Sequence, residues 1–473
     1  MLLIGLDVGT TKLAALAVEA DTGQTVALVA TPNTARRDAA VNGLQRAELD
    51  VGQLQALALD LLRQLRGALP PDATVIGLGV TGQQHGVAFV DQHGQPTLRA
   101  ITWQDQRVLE PVDSATYLEA LVAQAGGSGR FEGMGCAPAP GYLGASLYWL
   151  SRRGELPAPA GACLIPDSVV AALVGAAPAT DPTLAGSTAL YDVRLGRWDR
   201  DLLDRLGLGT VRLAEVAPTG ALAGGLASEA AQHIGLRRGT PVAVAVGDNQ
   251  ASFIGSVSAP QNSLLVNIGT GGQVSAWIDR FVRVDTIDTR AFPGGRYLLV
   301  GAGSSGGSTL AHLHRLVAEI GASLYDAERD DLYERLIDLA AAQPPGAEGL
   351  RCVPHLNGTR ADPTATGAWL GLTGSNLTIG NLTRALIEGI ANDTHAFWER
   401  MRLAAGKRER LVGAGNALVR NRVLQEALSQ RFHMPLELAT REEAAAVGAA
   451  LCAGVAVGQF RNVDEAMATG VCI

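Results

Sequence analysis

A chain of 473 residues, 47% hydrophobic with 57 glycines, is too long for one compact core and reads as an α/β protein of two or three domains rather than a disordered or fibrous one. Its formal charge of −8 and the lack of any Lys or Arg run exclude a nucleic acid or an anionic membrane surface as the natural partner. The five cysteines are scattered, so neither a disulfide framework nor a zinc site is expected.

The chain starts directly on an apolar strand, with no basic leader, and no apolar run reaches about 18 residues without charge or turn signals. A cytoplasmic protein that does not enter a membrane is therefore expected. Leu2–Leu6 reads as a buried strand and Leu13–Val18 as its hairpin partner, joined by the turn Gly9-Thr10-Thr11-Lys12. Glycine at such a bend admits a close ligand, and the threonine hydroxyls and amides can donate to phosphate oxygens. Asp7, at the strand end, is placed to hold Mg²⁺ beside that phosphate.

Ala47–Arg66 carries leucines at helical spacing, with Asp50 as its expected N-cap. Thr74–Val80 is a buried strand that delivers Thr81-Gly82-Gln83-Gln84-His85-Gly86 at its C-terminal end, where open α/β sheets bind ligands. Val87–Asp91 and Ala100–Trp103 follow, and the second leads into Trp103-Gln104-Asp105-Gln106-Arg107. Amides, an imidazole, an acid and an aromatic face suit a polyhydroxylated ligand, so Gln83, Gln84, His85, Trp103, Asp105 and Arg107 are substrate-binding candidates; a tight turn with a structural histidine is the alternative.

Gly144–Arg152 and Asp167–Leu173 read as helices, the second capped by Asp167, and Thr180–Trp198 as a loop, a strand and a turn. Gly239–Val246 is a buried strand ending at Gly247-Asp248-Asn249. Asp248 can face a cleft and accept a hydroxyl proton, with Asn249 beside it; it can equally cap a helix over Asn249–Ser258, and the two roles are compatible. The domain boundary is set here, giving domains 1–246 and 247–473.

The first hairpin's pattern returns in Leu264–Trp277, where Val266-Asn267-Ile268-Gly269-Thr270-Gly271 keeps the order apolar, polar, apolar, Gly, Thr, with Asn267 in place of the acid. A duplicated fold with two turns facing one nucleotide is expected. Tyr297–Leu310 fits strand, G-x-G-x-x-G, helix, but Leu324–Ala342 reads as helical where a dinucleotide fold needs a second parallel strand, so an NAD-dependent dehydrogenase is set aside. Asn381–Met401 is a long helix, Arg410–Val412 a strand, Val419–Phe432 a helix, and Glu442–Val455 a small-residue helix suited to close packing.

These motifs identify the chain as similar to the FGGY carbohydrate kinases. Gly5–Thr11, Thr81–Gly86, Trp103–Arg107, Thr180–Trp198, Gly247–Gln250, Asn267–Gly272, Pro354–Pro363, Gly413–Ala417 and Glu443–Ala450 occur in family order over nearly the whole length. The resemblance implies a duplicated actin-like, ribonuclease-H-like ATPase fold, two domains around a central cleft, and ATP- and Mg²⁺-dependent phosphorylation of a sugar's primary hydroxyl. It makes Asp248 the base and Asp7 the metal-associated acid. Thr10, Thr11, Lys12, Gly269, Thr270 and Gly271 fall on the phosphate side, and Gly306, Gly307, Gly413, Gly415, Asn416 and Ala417 where adenosine is lined.

Gly82–Gly86, Gly135–Tyr142, Gly247–Ser252 and Gly415–Asn421 are most similar to the branch acting on the seven-carbon ketose sedoheptulose, with the xylulose branch next. Thr359 stands where pentulose kinases usually carry glutamate, which leaves Arg360 without that partner. A chaperone-type ATPase on the same fold is the alternative of a different class. The sequence leaves the oligomeric state open, a homodimer included.

Overall fold

The structure, a computed structural model, describes all residues except 158–160, 327–328, 360–361, 363, 440–441 and 470–473. Leu2–Val8 and Lys12–Glu19 form the expected hairpin, and Thr25–Pro32 extends it antiparallel. On the other side Leu2–Val8 pairs in parallel with Val75–Gly82, which in turn pairs in parallel with Pro241–Ala243. The second sheet repeats this order. Ser263–Ile268 is antiparallel to Gly272–Ile278, which is antiparallel to Arg296–Ser304; the parallel neighbours are Arg410–Ala414 and then Leu436–Leu438. The duplication expected from the two Gly-Thr turns is thus a repeat of whole sheets.

Between the sheets lie two helices, Asp248–Ser256 and Ala444–Ala456, and one apolar cluster takes residues from both halves, including Leu3, Leu16 and Val18 from the first and Leu265, Leu298 and Val300 from the second. The small residues have a direct steric reason. A Cβ on Gly5 would lie 1.8 Å from the Ala446 carbonyl oxygen and one on Gly79 1.9 Å from that of Ala449, so Ala444–Ala456 presses its backbone onto the first sheet. Gly255 and Gly448 do the same between the two helices, with Cβ positions 2.0 Å from the carbonyls of Ala444 and Ala251. A segment from the far end of the chain therefore completes the core of the first half.

Several boundaries differ from the sequence expectation. Asp50 caps its helix as expected, its side chain accepting from the Gln53 amide at 3.0 Å, but that helix is Val51–Ala68 because Leu44–Leu49 is a strand. Asp167 lies in the first turn of the helix Ile165–Val174, where its carboxylate caps from inside by accepting from the amide of the N-cap residue Leu164 at 3.0 Å. Pro241–Ala243 and Val246–Gly247 are separate strands, and the helical stretch after Gly306 divides into Gly307–Tyr325 and Leu332–Ala341. Helices Ile379–Ala405 and Arg422–Phe432 sit close to the expected positions.

The G-x-G-x-x-G stretch fails the dinucleotide test on direction. Its strand, Arg296–Ser304, is antiparallel to both neighbours, Gly272–Ile278 and Asp288–Phe292, whereas that motif needs a parallel unit. Among the described residues no helix is long and apolar enough to cross a membrane.

Candidate active site

Three parallel strand ends build the site. Asp7 stands opposite Thr81 in the register of Leu2–Val8 with Val75–Gly82, and Val246–Gly247 pairs with Thr81–Gly82 on the far side. Asp7, Gln83 and Asp248 are thereby brought to one end of one sheet. Asp248 is the first residue of its helix and Gly247 is the N-cap, which corrects the capping role expected for Asp248. Its Oδ1 accepts from the Asn249 amide at 2.7 Å.

Burial is the main cause that raises the Asp248 carboxyl to about 6, opposed by the Asn249 amide and the positive charge of Arg290. Burial also lifts Asp7 to about 7, helped by repulsion from Asp248 and Glu443 and opposed by Lys12. Two carboxylates that share a shielded site in this way favour a cation or a proton between them. The Asp7 Oδ1 atom is buried without a hydrogen-bond partner in the protein.

The amides beside these acids divide into used and unused. Gln84 is tied on every side: its Nε2 donates to the Thr183 carbonyl at 3.0 Å and Gln250 Oε1 at 3.1 Å, and its Oε1 accepts from Arg290 at 3.2 Å. Gln83, 2% exposed, has both side-chain atoms unpartnered, and Asn249 Oδ1 is unpartnered too, while Asn249 Nδ2 donates to Gln273 Oε1 at 2.9 Å. Buried polar atoms left unpaired are costly without a ligand, so these mark where ligand hydroxyls belong. The bond from Arg290 to Gln84 also joins the first half to the second at the site.

His85 adopts a left-handed φ of 74°, rare for a branched ring side chain, and two contacts to Ser187 hold it: its amide donates to Oγ at 3.1 Å and its Nδ1 meets the carbonyl oxygen at 2.7 Å. A carbonyl only accepts, so Nδ1 carries the hydrogen. The ring stacks on Tyr142 at 4.0 Å. Trp103 is 44% exposed and its indole donates to Thr10 Oγ1 at 3.2 Å, which links the sugar side to the first phosphate turn.

Asp105 and Arg107 are held elsewhere. Asp105 is fully buried, its oxygens accepting from the Ala47 amide at 2.8 Å, the Arg107 amide at 2.9 Å and the Arg107 guanidinium at 2.7 and 2.9 Å; Arg107 also reaches Glu48 at 2.7 Å. This pair braces the loop that carries Trp103 and has no acceptor to spare for a sugar. Asp105→Ala should therefore cost about 3 kcal/mol of stability by stranding a buried cation, seen as a lower thermal midpoint, with sugar KM unchanged. A raised KM at an unchanged midpoint would return the pair to the ligand.

On the nucleotide side, the carbonyls of Gly269 and Thr270 accept from the amides of Gly307 and Ser308 at 2.8 and 3.0 Å. The first amides of helix Gly307–Tyr325 thus buttress the second turn. Gly306 is there because a Cβ would lie 2.8 Å from the Thr270 carbonyl oxygen, and Gly415, at φ 91°, because one would lie 2.4 Å from that of Ile268. Gly307 packs toward Ala417, next to the exposed Asn416, whereas the Cβ position of Gly413 faces Leu418 and Leu436. Lys12, expected on the phosphate, forms an ion pair with Glu443 that ties the first turn to the start of the packed helix. Thr11 is exposed at the tip of that turn, and Gly271 ends the second, its carbonyl accepting from the Gly269 amide at 3.0 Å. Thr359 closes its own turn, its Oγ1 accepting from the Asp362 amide at 2.9 Å; Arg360 is outside the described residues.

Residues 2–255 match the N-terminal domain of the FGGY family of carbohydrate kinases, and residues 266–457 match its C-terminal domain. The chain belongs to the FGGY family of carbohydrate kinases. It is 30% identical to sedoheptulokinase of Homo sapiens over 483 aligned residues, covering 95% of this chain and 96% of that one. Xylulose kinase of Staphylococcus epidermidis is 24% identical, covering 83% and 76%. Among solved structures, xylulose kinase from Rhodospirillum rubrum superposes with a TM-score of 0.84 at 26% identity, covering 99% and 92%. This FGGY enzyme is thus an ATP-dependent sugar kinase with the two-domain fold that the repeated sheets display, and the chaperone-type ATPase and dehydrogenase alternatives fall.

Sequence reasoning missed Arg290, Gln250, Gln273 and Ser187 as site residues: Gln250, Gln273 and Ser187 lie within the segments Gly247–Gln250, Leu264–Trp277 and Thr180–Trp198, but only the structure shows that they bond Gln84, Asn249 and His85. Arg290 lies outside every motif, on the strand Asp288–Phe292, where it pairs with Asp288.

Proposed function

We propose that this kinase phosphorylates the terminal primary hydroxyl of a ketose, sedoheptulose giving sedoheptulose 7-phosphate, with Asp248 as the base. The observation that carries this reading is the set of buried, unpartnered donors and acceptors on Gln83 and Asn249 beside the Asp248 carboxylate. It is supported by the similarity to human sedoheptulokinase along 95% of the chain. The domain boundary falls at 246/247, where the strand end passes into the base, and the enzyme works in the cytoplasm.

The chemistry is positioning plus charge stabilisation. The amides of Gln83 and Asn249 fix the sugar so that its terminal hydroxyl donates to Asp248, which takes the proton as that oxygen bonds to the γ-phosphorus of ATP and the bond from that phosphorus to the β–γ bridging oxygen breaks, releasing ADP. The Gly9–Lys12 and Gly269–Gly271 turns cup the phosphates, and closure of the halves keeps out water, the competing acceptor.

For Mg²⁺ the donor set fits: Asp7 offers a buried, unpaired oxygen beside a second carboxylate. Among the described residues no group of three His, Cys, Asp or Glu could hold a metal ion, so of the protein's own groups Asp7 is the one that would hold it. When bound it would offset charge on the transferring phosphoryl group.

A panel of seven- and five-carbon ketoses tests the substrate. The expected result is the highest kcat/KM with sedoheptulose; a higher value with xylulose moves the enzyme to the five-carbon reading, which the Rhodospirillum rubrum likeness favours.

A further inference from the structure

The segment Ala179–Ala185 enters none of the steps above, yet it carries a buried acid whose hydrogen-bond chain ends at the Gly247 amide, one residue before Asp248. Asp181 is fully buried and caps the short helix Pro182–Ala185, accepting from the Leu184 amide at 2.9 Å. Its Oδ1 also accepts from the Thr183 hydroxyl at 2.7 Å, and its Oδ2 from that of Thr219 at 2.6 Å. Thr183 spends its one hydroxyl hydrogen on Asp181, so its oxygen can only accept from other groups, and it accepts from the Gly247 amide at 2.8 Å. A helix cap accounts for the bond to Leu184 but not for the bond to Gly247, 64 residues further along.

We propose that Asp181 and Thr183 are positioning residues for the phosphoryl transfer: through the Thr183 hydroxyl they pin the Gly247 amide, and with it the backbone from which Asp248 reaches the sugar hydroxyl. This rests on the assignment of Asp248 as the base.

Three features make the strut stiff. The preceding carbonyl, that of Val246, is held by the Thr81 hydroxyl at 2.7 Å, so both sides of this peptide are fixed by buried threonines. Gly247 has no lateral room, since a Cβ there would lie 2.2 Å from Gln84 Nε2, and Gln84 itself is bonded to the Thr183 carbonyl. The chain also starts on a carboxylate, and a hydroxyl that donates to a charged acceptor becomes a stronger acceptor toward the next donor. Misplacement of a reacting group by about 1 Å costs on the order of 100-fold in rate, so a peptide held this closely has a kinetic use.

The test is Thr183→Val, which keeps shape and loses the hydroxyl, beside Thr183→Ser, which keeps the hydroxyl, each alone and combined with Asp248→Asn. The proposal expects Thr183→Val to lower kcat by about 10- to 100-fold with ATP KM unchanged, Thr183→Ser to restore most of the turnover, and neither to lower the residual rate of Asp248→Asn further. Normal turnover in Thr183→Val, or an equal loss in Thr183→Ser, overturns it, as does a further fall in the Asp248→Asn background. The two assignments separate cleanly: an inactive Asp248→Asn beside a fully active Thr183→Val defeats the strut alone, while an active Asp248→Asn defeats both. If Thr183→Val does not fold, Asp181→Asn carries the question, a fall in kcat at unchanged ATP KM supporting the strut and an unchanged kcat overturning it.

Discussion

Replacing Asp248 by asparagine should lower kcat for sugar phosphorylation by about 10³-fold, the middle of the range a general base contributes, while ATP binds nearly as well as before. The asparagine keeps the size and the start of the helix but cannot accept the hydroxyl proton. In the wild type, kcat/KM should climb as pH rises through about 6, where the buried Asp248 carboxyl loses its proton, and then level off. The variant should lack that limb. Steady-state assays across pH 5–8, with ATP binding followed by calorimetry, check both points, and undiminished turnover would remove Asp248 from its role.

Asp7→Asn carries the second large effect, and it splits into opposite signs. Activity should fall by about 100-fold or more because the oxygen facing the phosphates loses its charge, and Mg²⁺ should bind the enzyme–nucleotide complex more weakly by calorimetry. Stability without ligands should rise. The folded-state pKa, near 7, lies above the ordinary value of 3.8, so the unfolded chain sheds the proton first and the wild type loses stability as pH climbs from about 4 to 7, after which the loss is constant. The shift corresponds to about 2–4 kcal/mol above pH 7. Asparagine removes this penalty, so the variant's thermal midpoint should exceed that of the wild type at pH 8 and approach it near pH 4. Equal midpoints at pH 8 would mean that Asp7 is better solvated than its buried oxygen implies.

Those opposite signs express a general trade at this site. Asp7, Asp248 and Gln83 all hold polar atoms in shielded positions that the fold alone leaves unsatisfied or partly repelled. Asp105 and Arg107, on the segment that follows Pro96–Ile101, are polar and buried but fully paired. On the proposed reading the first group finds its partners in the substrates, while the second has them in the protein and gives rigidity.

Much of this was legible without coordinates. The Asp7 and Asp248 strand ends, the two Gly-Thr hairpins and the small-residue helix near the C-terminus follow from patterns only a few residues long, since strand periodicity, tight turns and glycine contacts are local properties. The pairing of Asp105 and Arg107 within the protein is not legible in the Trp103–Arg107 motif, because their partners, the Ala47 amide and Glu48, come from a strand about 60 positions earlier. The ion pair of Lys12 is hidden from the sequence for the same reason, its partner Glu443 lying near the other end of the chain.

Local order in the chain settled which residues could meet a phosphate or a sugar hydroxyl: a carboxylate or amide after an apolar run is carried to the open end of a sheet whatever the rest of the molecule does. Only the folded arrangement decided which of them stay available. That choice depends on which donor and acceptor pairs close first across distant segments, Arg290 with Gln84, Gln273 with Asn249, Thr183 with Gly247, and on how much water the packed helices between the sheets leave around each charge. Hydrogen bonding and desolvation act through space at a few ångströms, and sequence separation carries no information about either.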